Sequence, residues 1–191
     1  RQFQLALREF GERLKASGSG GAGLFYFAGH GMQIKGRNFL IPVDAVVNRD
    51  KDLVVVAVEA TSILEAMHAA RNRLNFVILD ACRNDPFPRG MRSATQGLAR
   101  MEATRGTLIA YATSPGDVAA DGEGVNSPYS AALASELLRP NVAVERMFRQ
   151  VRNRVMQQTN QRQVPWESSS LTGDDYVFNS GQVLENDTPA P

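Results

Sequence analysis

The stretch "GLFYFAGHGMQ", residues 23 to 33, decides how this chain is read. Leu24, Phe25, Tyr26 and Phe27 form a continuous apolar run of the kind that builds a buried strand, and Gly29, His30 and Gly31 follow directly. An apolar strand that ends on a histidine between two glycines presents the imidazole at the carboxyl edge of an α/β sheet, where such sheets bind ligands. His30 is one of only two histidines in 191 residues.

A second apolar run, "NFVILDAC" (75 to 82), reads as a central parallel strand buried on both faces, and it ends in Cys82, the single cysteine. If the two strands are neighbours, His30 and Cys82 face each other at one sheet edge. Imidazole beside thiol makes a thiolate available near neutral pH and later returns a proton to the leaving amine. Gly31 offers a backbone N–H with no side chain to obstruct it, and with the Cys82 N–H it could form an oxyanion hole. Taken singly, a strand-end cysteine is usually a small buried hydrophobe and a lone turn histidine a surface residue. The pair, 52 positions apart at the ends of two core strands, carries the argument.

Outward from these strands the chain alternates. Phe3, Leu7, Phe10 and Leu14 recur at three- and four-residue spacing, an amphipathic helix ending near Gly18, and "SGSGGAG" connects it to the strand at 23 to 28. Residues 32 to 42 read as a β-hairpin turning at "IKGRN", with "NFLIPVDA" (38 to 45) as its extended second arm. Residues 58 to 71 form a helix with Ile63, Leu64, Met67 and Ala70 on one face. Residues 83 to 101 are a long loop, 106 to 116 a core strand running into a Pro-Gly turn, and 117 to 127 a polar loop. Helices follow at 127 to 140 and 142 to 159, then a short strand "DDYVF" at 174 to 178 and a frayed tail. The order is that of an α/β sandwich with a mostly parallel sheet.

Composition bounds the function. With 21 Lys plus Arg against 20 Asp plus Glu the net charge of +1 favours no charged partner, and no basic stripe with interleaved aromatics supports nucleic-acid binding. No apolar run approaches the roughly 18 residues of a membrane span, and no secretory signal opens the chain. One cysteine excludes an intrachain disulfide and a Cys-rich zinc site, and fits a reducing compartment, hence a cytoplasmic location.

"YFAGHG" followed by "LDACRND" resembles the caspase-like cysteine peptidases, specifically their bacterial metacaspase (orthocaspase) branch. "DACRN" stands beside the caspase pattern Q-A-C-[RQG]-G, whose histidine lies about 50 residues upstream. "NFLIPVDA", "YATSPG" and "SPYSAALASEL" fit as well, so the resemblance covers most of the chain. It implies a caspase-like three-layer αβα sandwich over residues 1 to 180, with a p20-like part to about 100, a p10-like part from 101, and a C-terminal tail from 181 to 191. It implies a His30–Cys82 dyad with the Gly31 and Cys82 amides as oxyanion donors.

The departures from caspases are informative. Asp80 stands where they carry Gln, and strand alternation puts it on the same side as Cys82. A carboxylate there would hold a cationic side chain and repel an acidic one, and metacaspases resemble this in cleaving after Arg or Lys. The bland alternative is that Asp80 only hydrogen-bonds neighbouring loop groups. Ala28 stands where several metacaspases have Ser. "YATSPGD" (111 to 117) corresponds to the substrate strand and loop, so Thr113 and Ser114 backbone groups and Asp117 are expected to line the cleft. No cofactor is required. Calcium activation is compatible with the family, with Asp117, Asp121 and Glu123 nearby, but their spacing does not match an EF-hand. No metal ligand is assigned. Family members open with a strand and helix that precede anything here, so a further N-terminal segment or companion chain is expected to complete the sheet.

Two residue groups read as structure: His68 as a surface or core-edge residue, and Arg146, Arg149, Arg152 and Arg154 as a solvated helix face. Arg83, Arg89, Arg92, Arg100 and Arg105 lie in or beside the long loop and mark it as a site for self-cleavage. The leading reading is a cysteine endopeptidase acting on protein or peptide substrates after basic residues. The rival is a catalytically silent scaffold or partner-binding module. A third reading is a clan member with narrow protein substrates.

Overall fold

The computed structural model describes residues 2–46, 50–81, 94–95, 97–122 and 124–181, the side chains of residues 50, 51, 94 and 95 excepted. The apolar run after Gly21 becomes strand β1 (Ala22–Ala28), preceded by helix α1 (Gln2–Ala16). The second run becomes β5 (Leu74–Asp80), every residue of which is buried, as is every residue of β7 (Thr107–Tyr111). β1, β5 and β7 are parallel, and β8 (Trp166–Ser169) joins antiparallel, giving the order β1-β5-β7-β8. Strands buried on both faces can be continuous in Val, Ile and Leu because helices cover both sides.

Alternation along β1 sorts the layers. Phe25 and Phe27 stack on Phe3 of α1, while Tyr26 between them reaches Ser130 on the opposite face. α1 packs with helix α3 (Ala60–Ala70) on the first face. Helices α4 (Pro128–Leu137) and α5 (Val144–Gln158) pack with each other on the second. The main core runs through all three layers and includes Ile63, Met67, Phe76, Ile109, Phe148 and Val155, each nearly or fully buried. Full burial of side chains this size stabilises by about 1.5–3 kcal/mol each.

The predicted hairpin is present as β2 (Gly31–Ile34) and β3 (Arg37–Leu40), turning through Lys35 and Gly36, both at positive φ. It belongs to a second, small sheet of order β4-β3-β2-β6, with β4 (Val58–Glu59) and β6 (Ala94–Thr95). Met32, Phe39, Ile41, Leu53 and Ala57 form a separate small core beneath it. Leu53 comes from helix α2 (Asp50–Val56), where the sequence reading assigned no element, and β6 lies inside the stretch read as loop.

One strand is misplaced by the sequence reading. "DDYVF" forms no ladder: Val177 makes only an isolated bridge to Ala143, and Tyr176 and Phe178 instead pack their rings on Phe76. The last strand is β8, whose polar sequence WESS pairs along the edge of β7. Its backbone ladder needs no apolar side chains, so the periodicity that finds core strands misses it. The predicted helices all form, with α4 capped by the Ser127 side chain and opened by Pro128 at its first turn.

Candidate active site

The β1–β5 register pairs Ala28 with Asp80, so both sequence motifs leave the sheet at the same level. Gly29 N–H still donates to the Asp80 carbonyl at 3.1 Å, and the His30 carbonyl accepts from Ile41 N–H at 2.9 Å. These bonds tie the backbone on both sides of His30, whose side chain is exposed. A cavity of about 500 Å³ opens beside it, lined by Phe3, Phe27, Ile41, Pro42 and Asp44 among others. Gly31 is buried against the end of β5: a Cβ there would stand 2.5 Å from the Ala81 carbonyl oxygen. Only glycine allows the two strand ends to approach this closely. Cys82, the residue after Ala81, lies outside the described residues, as do Arg83, Arg89, Arg92 and Glu123.

Asp80 is 1% exposed at the carboxyl end of β5, against the first turn of α4. Ser127 Oγ donates to Asp80 Oδ2, and Ser130 Oγ donates to the same oxygen at 2.6 Å. Ser127 Oγ also accepts the Ser130 N–H at 2.9 Å, so Ser127 is the helix cap and Asp80 is not. Tyr26 Oη lies 2.6 Å from Ser130 Oγ. The single hydroxyl proton of Ser130 is committed to Asp80, so Tyr26 is the donor in that pair. Asp80 Oδ1 has no partner among the described residues, and no ion pair to Asp80 stands among them. The nearby Tyr129 hydroxyl is likewise buried and unpartnered; burial first, and the charge of Asp80 second, push its pKa far up.

The remaining predicted positions occupy the same edge. Ala28 is exposed and lies on the Tyr26 side of β1. Ala112 N–H donates to the Leu79 carbonyl at 3.0 Å, continuing the ladder to Thr113, which is buried with Oγ1 unpartnered among the described residues. Ser114 Oγ is committed to the Val164 carbonyl at 3.1 Å, and Asp117 is exposed on a turn in which its N–H donates to the Ser114 carbonyl. Among the described residues no cluster of three or more His, Cys, Asp and Glu is suited to a metal ion.

Several residues at this edge carry no sequence signal. Gln163 is buried and bridges the Ala112 carbonyl at 2.8 Å and the Ala120 N–H at 3.1 Å, holding two loops. Asn38 makes a reciprocal pair with the Ala99 backbone, both bonds 2.7 Å. Ser127 and Ser130 bond Asp80 directly and Tyr26 bonds Ser130, and only the three-residue repeat of serines at the α4 start hinted at a cap. His68 is exposed on α3 and takes no part. The arginines of α5 are not uniformly solvated as expected. Arg146 and Arg149 are exposed, but Arg152 pairs with Glu167 and Arg154 pairs with buried Glu136 at 2.7 Å. Both carboxylates come from other elements, which a helical-wheel reading of one helix does not see.

A mostly parallel sheet between helix pairs, with a histidine and the approach to a cysteine at adjacent strand ends, defines a caspase-like α/β fold. The family model described as the caspase domain matches residues 1–176, and the chain belongs to that family of cysteine peptidases. The crystal structure of caspase-1 from Spodoptera frugiperda is similar at a TM-score of 0.53 and 17% identity, covering 94% of this chain and 71% of that one. No curated protein matches. Among the described residues no helix is long and apolar enough to cross a membrane.

Proposed function

We propose that this chain is a cysteine endopeptidase of the metacaspase branch, cleaving protein substrates after Arg or Lys with a His30–Cys82 dyad. The observation that carries it is the register: Ala28 pairs with Asp80, and His30 and Cys82 each follow two residues later. The Cys82 thiolate attacks the scissile carbonyl carbon, and the Gly31 and Cys82 amides take the oxyanion. His30, having received the thiol proton, gives it to the leaving amine, and a thioester remains. His30 then deprotonates a water that attacks the thioester carbonyl, and the thiol is released. Asp80 holds the basic side chain, a role supported by its burial without an ion pair among the described residues. Ala28 borders that pocket, and Thr113, Ser114 and Asp117 line the path on which an extended peptide would add to the sheet.

The edge of β1 away from β5 bears no strand among the described residues, and a further segment or companion chain pairs there in this proposal. The chemistry needs no metal, and calcium enters as an activator only. Self-cleavage would fall in the Arg-containing loop, where Arg105 is exposed. The compartment proposed is the cytoplasm, because a dyad thiol must stay reduced. The test is turnover of fluorogenic peptides with Arg, Lys or Asp before the scissile bond, with and without calcium, by the protein and its Cys82→Ala variant. Cleavage after Arg or Lys that disappears in the variant is expected. Cleavage after Asp would overturn the pocket assignment and keep the dyad; no turnover, with Cys82 inert to an Arg-directed alkylating probe, would favour a silent scaffold.

A further inference from the structure

We propose that the first turn of α4 is the specificity-positioning element of this site: Ser127 and Ser130, backed by Tyr26, grip Asp80 through Oδ2 alone and reserve Oδ1 for the cationic group of the substrate. The proposal rests on the role of Asp80 given above and extends it to residues 47 and 50 positions downstream of it.

The asymmetry of the carboxylate is the starting point. Both protein hydroxyls converge on Oδ2, while Oδ1 is equally shut from solvent and receives nothing among the described residues. Leaving such an atom unsatisfied is destabilising unless a ligand completes it, and buried unpartnered atoms are rare for that reason. Of four such side-chain atoms among the described residues, three are Asp80 Oδ1, Tyr129 Oη and Thr113 Oγ1, at the carboxyl ends of β5 and β7 and the start of α4. All three can accept from the multiple N–H groups of a guanidinium.

The serines orient the acid without competing for it. A helix N-terminus normally offers backbone N–H groups to an anion, but here the Ser130 N–H is taken by Ser127 Oγ, so Asp80 meets hydroxyls alone. Hydroxyl donors hold the carboxylate in place while leaving it without a cationic partner among the described residues. Tyr26, 43% exposed, donates to Ser130 from β1 and so links the grip to the strand that carries His30. Asp80 is thereby braced from two elements.

The test compares kcat/KM for two peptides that differ only in Arg or citrulline before the scissile bond, since citrulline keeps the shape and lacks the charge. Asp80→Asn should collapse the Arg/citrulline ratio. Ser130→Ala should lower it roughly tenfold, the effect of one hydrogen bond to a charged group, with the loss in KM for the Arg peptide. Ser127→Ala should act in the same direction, Tyr26→Phe by about two- to threefold, and Ser130→Thr should restore the ratio by restoring the hydroxyl. Ser130→Ala leaves the helix cap intact, so it reads out even where Ser127→Ala fails to fold. A collapsed ratio in Asp80→Asn with an unchanged ratio in Ser130→Ala overturns the positioning role alone. An unchanged ratio in Asp80→Asn overturns both readings.

Discussion

Helix α4 has a buried carboxylate at each end, and the two are served differently. Glu136, near the C-terminus, is 2% exposed and lies between Arg139 at 3.0 Å and Arg154 at 2.7 Å. Asp80, at the N-terminus, is 1% exposed and has two hydroxyls and, among the described residues, no cation. A buried charge is ordinarily paired, because desolvation is otherwise uncompensated. Glu136 obeys the rule within the protein, joining α4 to α5. Asp80 breaks it at the carboxyl edge of the sheet, where ligands bind. In the proposed reading this difference separates a buried acid that belongs to the scaffold from one kept for the substrate.

The comparison can be broken first at Glu136. Replacing both Arg139 and Arg154 by Ala strands that carboxylate, and urea unfolding should show a loss of about 3 kcal/mol, the low end for a broken buried pair because both guanidinium groups are partly exposed. Asp80→Asn should shift the same midpoint by less than about 1 kcal/mol, since it removes a charge with no ion-pair partner among the described residues. A larger loss for Asp80→Asn than for the arginine pair would reverse the assignment.

Gly31→Ala sharpens the functional side. Its Cβ would stand 2.5 Å from the Ala81 carbonyl, so the strand ends must separate. The expected loss is about 2 kcal/mol in stability, with peptide turnover falling much further than the stability loss explains. Wild-type turnover in this variant would show that the approach of β2 to β5 has no part in the chemistry.

Tyr129 tests the polarity of the Asp80 pocket by pH. Burial and the Asp80 charge hold its pKa above the ordinary value of 10.0, so the folded state keeps a proton that the unfolded state gives up. This contribution is fully present below about pH 10 and is lost as pH rises beyond it. Tyr129→Phe should flatten the alkaline fall in stability by up to about 1.4 kcal/mol per pH unit. Equal slopes in variant and parent would mean that the hydroxyl is solvated.

The smallest effect belongs to a surface pair. Arg37 donates twice to Glu59, at 2.9 and 2.5 Å, and the hydrogen bond holds the Glu59 carboxyl below its ordinary range. The sign is the reverse of Tyr129: the contribution is present above the unfolded carboxylate pKa and lost as pH falls through the lowered one. Arg37→Ala should therefore lower the thermal midpoint slightly at neutral pH and not at acid pH, and added salt should erase the difference. A persistent difference at low pH would point instead to lost packing of Arg37 on the Phe39 ring, 5.3 Å away.

Legibility followed burial. β5 and β7 were readable because a strand covered on both faces must be apolar throughout, and α1, α3 and α5 because one buried stripe repeats every three or four residues. β1 was found by its apolar run but is not the buried strand expected: Leu24 and Tyr26 are exposed on one face, and Phe25 and Phe27 are half-buried on the other. β8 was not, because an edge strand is held by its backbone ladder. α2 was hidden because "DLVVVAV" has the β-branched character of a strand, and burial of Leu53 in the second core overrides that propensity. Arg152 and Arg154 were misread because their acidic partners lie on other elements.

By itself the sequence determined the α/β class and put a histidine and an acid-preceded cysteine motif at the ends of two core strands. Those properties are local: apolar periodicity, glycines flanking His30, and the two-residue spacing from Asp80 to Cys82. Only the tertiary structure decided that β1 and β5 are neighbours in a register that brings Ala28 level with Asp80. Only it decided that Asp80 is gripped by Ser127 and Ser130 through one oxygen, because hydrogen bonds between residues 47 and 50 positions apart exist only after the chain has folded.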